Sequence, residues 1–89
     1  MTKILRVEAQ TEPTTVNKKD GTQMQKCFVH LKGLGQYPQE YYGAVLGNNA
    51  AVRFQKGDLV AADISFAVHE NNGAKYQDVL VKEIVKLKN

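Results

Sequence analysis

Residues 14–33 read TTVNKKDGTQMQKCFVHLKG, and the fold follows from how this stretch is parsed. Lys19-Asp20-Gly21 is a turn signal, because Asp-Gly supplies the positive φ values that a tight hairpin needs. The residues after the turn alternate. Cys27, Val29 and Leu31 share one parity, while Met24, Lys26, Phe28, His30 and Lys32 share the other. Side chains of a strand point to opposite faces with period two, so the first set lines a core and the second faces out. The outward set mixes cations with an aromatic ring, beside a hairpin tip holding Lys18 and Lys19. Single-stranded nucleic acid uses such a surface, with cations against phosphates and flat rings against bases. The plain alternative is a solvated strand carrying one stray Phe, since scattered surface apolar residues are normal.

Outward from this hairpin, KILRVEAQ (3–10) alternates loosely and predicts a first strand, with Leu5, Val7 and Ala9 on one face, that continues past Pro13 into Thr14-Thr15-Val16. Proline lacks an amide donor, which suits an edge or a bulge. The second strand covers about 22–33, and Gly33, Gly35 and Gln36-Tyr37-Pro38 turn the chain. EYYGAVL (40–46) predicts a third strand in which either parity can face the core. Tyr42, Ala44 and Leu46 form the more apolar set, which favours Tyr41 outward. Gly43 marks a bend or a close backbone approach. Asn49 before two alanines is a candidate cap for one or two helical turns, with Val52 and Phe54 turned inward.

DLVAADISFAVH (58–69) gives the cleanest alternation in the chain, placing Val60, Ala62, Ile64, Phe66 and Val68 on one face of a long, half-buried strand. Asn71-Asn72-Gly73 signals a hairpin. In the last strand, 75–87, the parity of Val79 and Val81 switches before Ile84, which predicts a bulge near Lys82-Glu83. Five strands with a short helical turn between the third and fourth is the order of an all-β OB-fold barrel, with residues 1–89 as one domain.

Composition agrees without deciding function. The chain has 89 residues, 43% of them hydrophobic, and a formal net charge of +3. That is compatible with a polyanionic partner and far from a histone-like excess. One cysteine excludes an internal disulfide, and no apolar run approaches a membrane span. With no leader pattern at residues 1–10, a soluble cytoplasmic protein is expected. Cys27 and His30, three apart on a strand, fall on opposite faces and form no catalytic dyad. One Cys and two His without metal-ligand spacing make no metal site. Gly33-Leu34-Gly35 lacks the third glycine and helix of a dinucleotide loop. His69 is read as a solvated side chain. The expectation is a binding module, not an enzyme, with no cofactor, no metal and no small-molecule substrate.

The runs KKDGTQMQKCFVHL (18–31), QYPQEYYGAVLG (36–47) and FQKGDLVAADISFAVHENNGAKYQDVLVKEIVKL (54–87) resemble small bacterial and phage OB-fold proteins related to single-stranded DNA-binding protein. The shared features are a basic Asp-Gly hairpin, a Tyr-Pro lead-in to the third strand, Lys-Gly-Asp before the fourth, and an Asn-Gly final hairpin. The resemblance implies a nucleic-acid face across the second and third strands, flanked by the first and last hairpins. Carried onto this chain, that face holds Lys18, Lys19, Lys26, Phe28, His30, Lys32 and Tyr41, with Lys75 and Tyr76 from the far hairpin. Those relatives carry Trp on the binding strands and an acidic tail. This chain has no Trp and reads Lys86-Leu87-Lys88-Asn89 at that point. Weaker binding per domain is expected, without the tail's recruiting role. The resemblance implies single-stranded DNA as partner, with RNA left open. Because one small domain offers few rings, a homodimer is also expected, through the third-strand edge or the long 58–87 hairpin. The rival reading is a phage or mobile-element accessory subunit that docks a protein on the same face.

Overall fold

The computed structural model describes residues 1–87. Among these residues are six strands: β1 (Thr2–Gln10), β2 (Thr14–Asn17), β3 (Gln23–Lys32), β4 (Glu40–Leu46), β5 (Leu59–Asn71) and β6 (Ala74–Lys86). A 3₁₀ turn over Gly47–Ala51 joins β4 to β5. The sheet runs β1-β5-β6-β4-β3-β2 and closes on itself through β1 against β3. All ladders are antiparallel except β4 with β6, which is parallel. β1 and β2 are one strand broken at Thr11–Pro13, since both pair with β3. With that strand counted once, the connectivity is that of the expected five-stranded OB barrel.

The local signals acted as their chemistry requires. Gly21 takes φ +87° in the first hairpin, and Asn72 and Gly73 take +54° and +81° in the two-residue turn between β5 and β6. The ladder shifts register between Asp63 and Ile64, where Lys82 is left unpaired, and this is the expected bulge. The 3₁₀ turn forms without a side-chain cap, so Asn49 is not the cap that its sequence position suggested. Ala50 is fully buried there and Phe54 packs against the core, but Val52 lies outside.

The core fills the barrel with Leu5, Val7, Cys27, Val29, Leu31, Val45, Val60, Ala62, Ile64, Val81 and Ile84. Burying such aliphatic side chains contributes roughly 1.5–3 kcal/mol each, against the ordering cost of so short a chain. Ala9 is not among them. A bulge at Glu8 flips the parity of β1, so Gln10 turns in instead. Its amide bonds the Val52 carbonyl at 2.9 Å and accepts the Phe54 N–H at 2.9 Å, clasping the segment that leads from the 3₁₀ turn into β5.

The third strand reverses the expected orientation. Tyr41, Gly43 and Val45 face inward, and Tyr42, Ala44 and Leu46 face out. Gly43 explains why. A Cβ there would lie 2.9 Å from Val79 Cγ1 and 3.0 Å from the Val79 carbonyl oxygen, so β6 crosses this point too closely for any side chain. β4 pairs with β3 along its whole length and with β6 at Ala44 and Val45, so the third-strand edge expected as a dimer surface is covered at those two residues.

The fourth strand is buried only up to Ile64. Beyond it Phe66 is 45% and Val68 67% exposed, because β5 and β6 outrun the barrel wall and project as a two-stranded arm.

Candidate nucleic-acid interface

The outer face of β3 and β4 is assembled by register. Lys26 stands opposite Leu46, Phe28 opposite Ala44, His30 opposite Tyr42, and Lys32 opposite Glu40. Phe28 stacks on Tyr42 with centroids 5.4 Å apart and planes 7° from parallel. Lys26 Nζ sits 5.0 Å from the centre of the Phe28 ring, a cation–π arrangement that holds a charge beside the stack. His30 Nε2 and Glu40 Oε1 are hydrogen-bonded at 2.8 Å. The centre of the face is thus a ring pair with one cation on its flank.

Lys18 and Lys19 lie exposed in the β2–β3 turn. That turn is fixed by Asp20, whose carboxylate accepts the Thr22 O–H at 2.6 Å and the Thr22 N–H at 2.9 Å. These two bonds hold the Asp20 carboxyl below its ordinary value of 3.8. Lys32, at the other end of β3, is directly opposite Arg6 of β1. Two like charges facing each other across a ladder repel, and an anion between them removes that cost. Both border a shallow open groove with Gly33 and Gly35.

The face continues onto the arm. Ala44 pairs with Leu80, and Leu80, Asp78 and Tyr76 share one parity of β6. Opposite Tyr76 stands His69. Their rings stack at 5.3 Å, and His69 Nδ1 is hydrogen-bonded with Asp78 Oδ2 at 2.8 Å. His69 is exposed, as expected, and in addition pairs with the Tyr76 ring and the Asp78 carboxylate.

Of the residues singled out from sequence, Lys26, Phe28, His30, Lys32 and Tyr76 share this outer surface, with Lys18 and Lys19 at its rim. Tyr41 does not. It is 9% exposed, donates its phenol O–H to Gln39 Oε1 at 2.7 Å, and packs at 6.3 Å against Phe66. The open tyrosine is Tyr42, 58% exposed. Lys75 also departs, because it neighbours Tyr76 on a pleated strand and so points to the arm's opposite side, across from Glu70. Sequence reasoning missed Tyr42, Arg6 and His69. Gly43 was the available signal for Tyr42, because a close backbone approach on the inner side puts its neighbours outside. Arg6 and His69 depend on pairing partners far along the chain.

Among the described residues, no group of His, Cys, Asp and Glu is placed to hold a metal ion. Among the same residues, no helix is long and apolar enough to cross a membrane.

No known protein family matches the sequence, and no curated protein matches it. Among solved structures, the chain is similar to the second OB-fold domain of replication protein A from Methanococcus maripaludis, with a TM-score of 0.73 at 22% identity. The match covers 99% of this chain and 83% of that one. Topology and comparison agree: the protein is an OB-fold barrel.

Proposed function

We propose that this barrel binds single-stranded DNA across the outer face of β3 and β4, with little sequence preference. The observation that carries the reading is the Phe28–Tyr42 stack with Lys26 beside it, at the position where OB-folds take oligonucleotides. Each ring that stacks on a base contributes about 1–3 kcal/mol, and every base has a face to offer. Lys18 and Lys19 at one hairpin, and Arg6 with Lys32 at the far end of β3, supply cations for phosphates on either side of the rings. Tyr76 and His69 extend the aromatic track along the arm. The similar archaeal domain belongs to a replication protein, which supports DNA as the ligand. The face offers rings and cations to a ligand, which supports a binding module.

The test is fluorescence anisotropy with labelled oligo-dT, oligo-rU and duplex DNA at low and moderate salt. Single-strand binding that weakens with salt and with Phe28→Ala supports the reading. Absence of binding to all three probes overturns it and leaves the face to a protein partner, the accessory-subunit role in a phage or mobile element.

A further inference from the structure

Both histidines of the chain lie on the outer face described above, and both are built into the same arrangement. His30 of β3 stands opposite Tyr42 of β4, and its Nε2 is hydrogen-bonded at 2.8 Å with Glu40, two residues from that tyrosine. His69 of β5 stands opposite Tyr76 of β6, and its Nδ1 is hydrogen-bonded at 2.8 Å with Asp78, again two residues from the tyrosine. The His69 ring also stacks on Tyr76. Both pairs are open to a ligand: the histidine side chains are 36% and 53% exposed, and their carboxylates more so. Unmasked carboxylates on a face that holds phosphates would repel them. Each carboxylate is instead joined to histidine, the side chain whose charge changes between about pH 5 and pH 8.

We infer that His30 and His69 are phosphate contacts that act only when protonated, so that the barrel takes up protons as it binds single-stranded DNA. The inference rests on the proposed function and adds to it which further groups hold phosphate, and under what condition. A neutral imidazole has one N–H and one lone pair. The carboxylate accepts the N–H, which fixes the tautomer and leaves the lone pair on the other ring nitrogen, Nδ1 of His30 and Nε2 of His69. A phosphate oxygen is also an acceptor, so the two repel. Protonation turns that nitrogen into a donor and cancels the carboxylate's charge within the pair. Each proton therefore adds a charge-assisted hydrogen bond for a phosphate, beside a tyrosine ring that offers a base its face. The charged groups around His30 are Glu40 from β4, Arg6 and Glu8 from β1, and Lys32 on β3 itself. Around His69 the outer side of β6 supplies Asp78 alone, since Lys75 and Glu70 lie on the arm's opposite side. By linkage, protons favour DNA binding by the same factor as DNA favours protonation.

Anisotropy of rhodamine-labelled oligo-dT with the full chain, at fixed ionic strength from about pH 8 down to about pH 5.5, tests it. Over that range histidine changes charge and ordinary carboxylates do not, and neither thymine nor a phosphodiester titrates. The affinity is expected to rise as pH falls, by about tenfold per pH unit at most for each proton taken up. His30→Gln and His69→Gln each remove part of that slope, and the double variant is flat, with the circular dichroism spectrum unchanged across the range. The slope is the readout, because a merely structural role for either ring would lower affinity equally at every pH. The imidazole resonances of the wild-type chain should also titrate at higher pH with oligo-dT than without it. Binding that does not vary with pH overturns the inference and leaves the proposed function standing. So does a double variant that keeps the wild-type slope, since the linked protons then lie elsewhere. Absence of binding at every pH overturns the proposed function, and the inference with it.

Discussion

Phe28 and Tyr42 are not cross-strand partners, yet their rings lie face to face. Phe28 stands opposite Ala44 and Tyr42 opposite His30, so the stack is diagonal across the β3–β4 ladder. Ala44 makes room for it, being too small to fill the space beside Phe28. Diagonal neighbours on a sheet lie within reach of aromatic side chains, and an offset aromatic pair adds about 0.5–1.5 kcal/mol beyond area burial. Each ring therefore holds the other in place.

This coupling makes the two rings non-additive in binding. Phe28→Ala and Tyr42→Ala should each weaken oligo-dT binding by about 1–3 kcal/mol. The double variant should lose less than the sum, because either single change already loosens the partner ring. Strict additivity in a double-mutant cycle would show that the stack plays no joint part.

Adjacent tyrosines on β4 should behave oppositely. Tyr42→Ala weakens binding and barely moves the melting temperature, since the ring is open to solvent. Tyr41→Phe leaves binding intact and loses the phenol–Gln39 bond, with a stability cost of at most about 0.5–1.5 kcal/mol. Chemical denaturation and anisotropy on the same two variants separate them. A binding defect in Tyr41→Phe with none in Tyr42→Ala would reverse the assignment of faces.

The proposed phosphate contacts would carry a salt signature. On single strands, log affinity falls with log salt by roughly 0.7 per phosphate neutralised. Lys19→Ala and Arg6→Ala should each reduce that slope by about one such step, whatever the base composition of the oligonucleotide. Slopes identical to wild type in both variants would place the DNA elsewhere.

Gly43→Ala should destabilise the barrel without touching the outer face. The new methyl meets Val79 Cγ1 at 2.9 Å and its carbonyl oxygen at 3.0 Å. Overpacking of this kind costs about 1–3 kcal/mol, and for a chain of this size each kcal/mol lowers the melting temperature by about 4–8 °C. Thermal unfolding by circular dichroism measures it; an unchanged midpoint would mean that β6 can move away at no cost.

The first hairpin should be acid-sensitive in a defined direction. Thr22, by its hydroxyl and then its amide, holds the Asp20 carboxyl below 3.8 in the folded protein. The stabilisation is complete above the unfolded-state pKa and is lost as pH falls through the lower folded value. The Thr22 amide resonance should therefore titrate with a midpoint below 3.8, and Asp20→Asn should remove that titration. A midpoint at or above the ordinary value would contradict the bonds.

What this sequence determined by itself is what nearest neighbours along the chain control. Asp20-Gly21 and Asn72-Gly73 set the hairpins by their access to positive φ, and alternation placed Cys27, Val29 and Leu31 inside with Phe28 and His30 outside. The parity switch between Val81 and Ile84 located the bulge at Lys82. Two matters were settled only in three dimensions. Tyr41-Gly43-Val45 and Tyr42-Ala44-Leu46 are both apolar enough to be core, and the choice fell to the close passage of β6 over Gly43, a contact with Val79 thirty-six positions away. The clean alternation of β5 likewise runs on through Phe66 and Val68. A period of two records which side of a strand is apolar, but not where the neighbouring strands stop, and it is the end of the barrel wall that leaves those side chains uncovered.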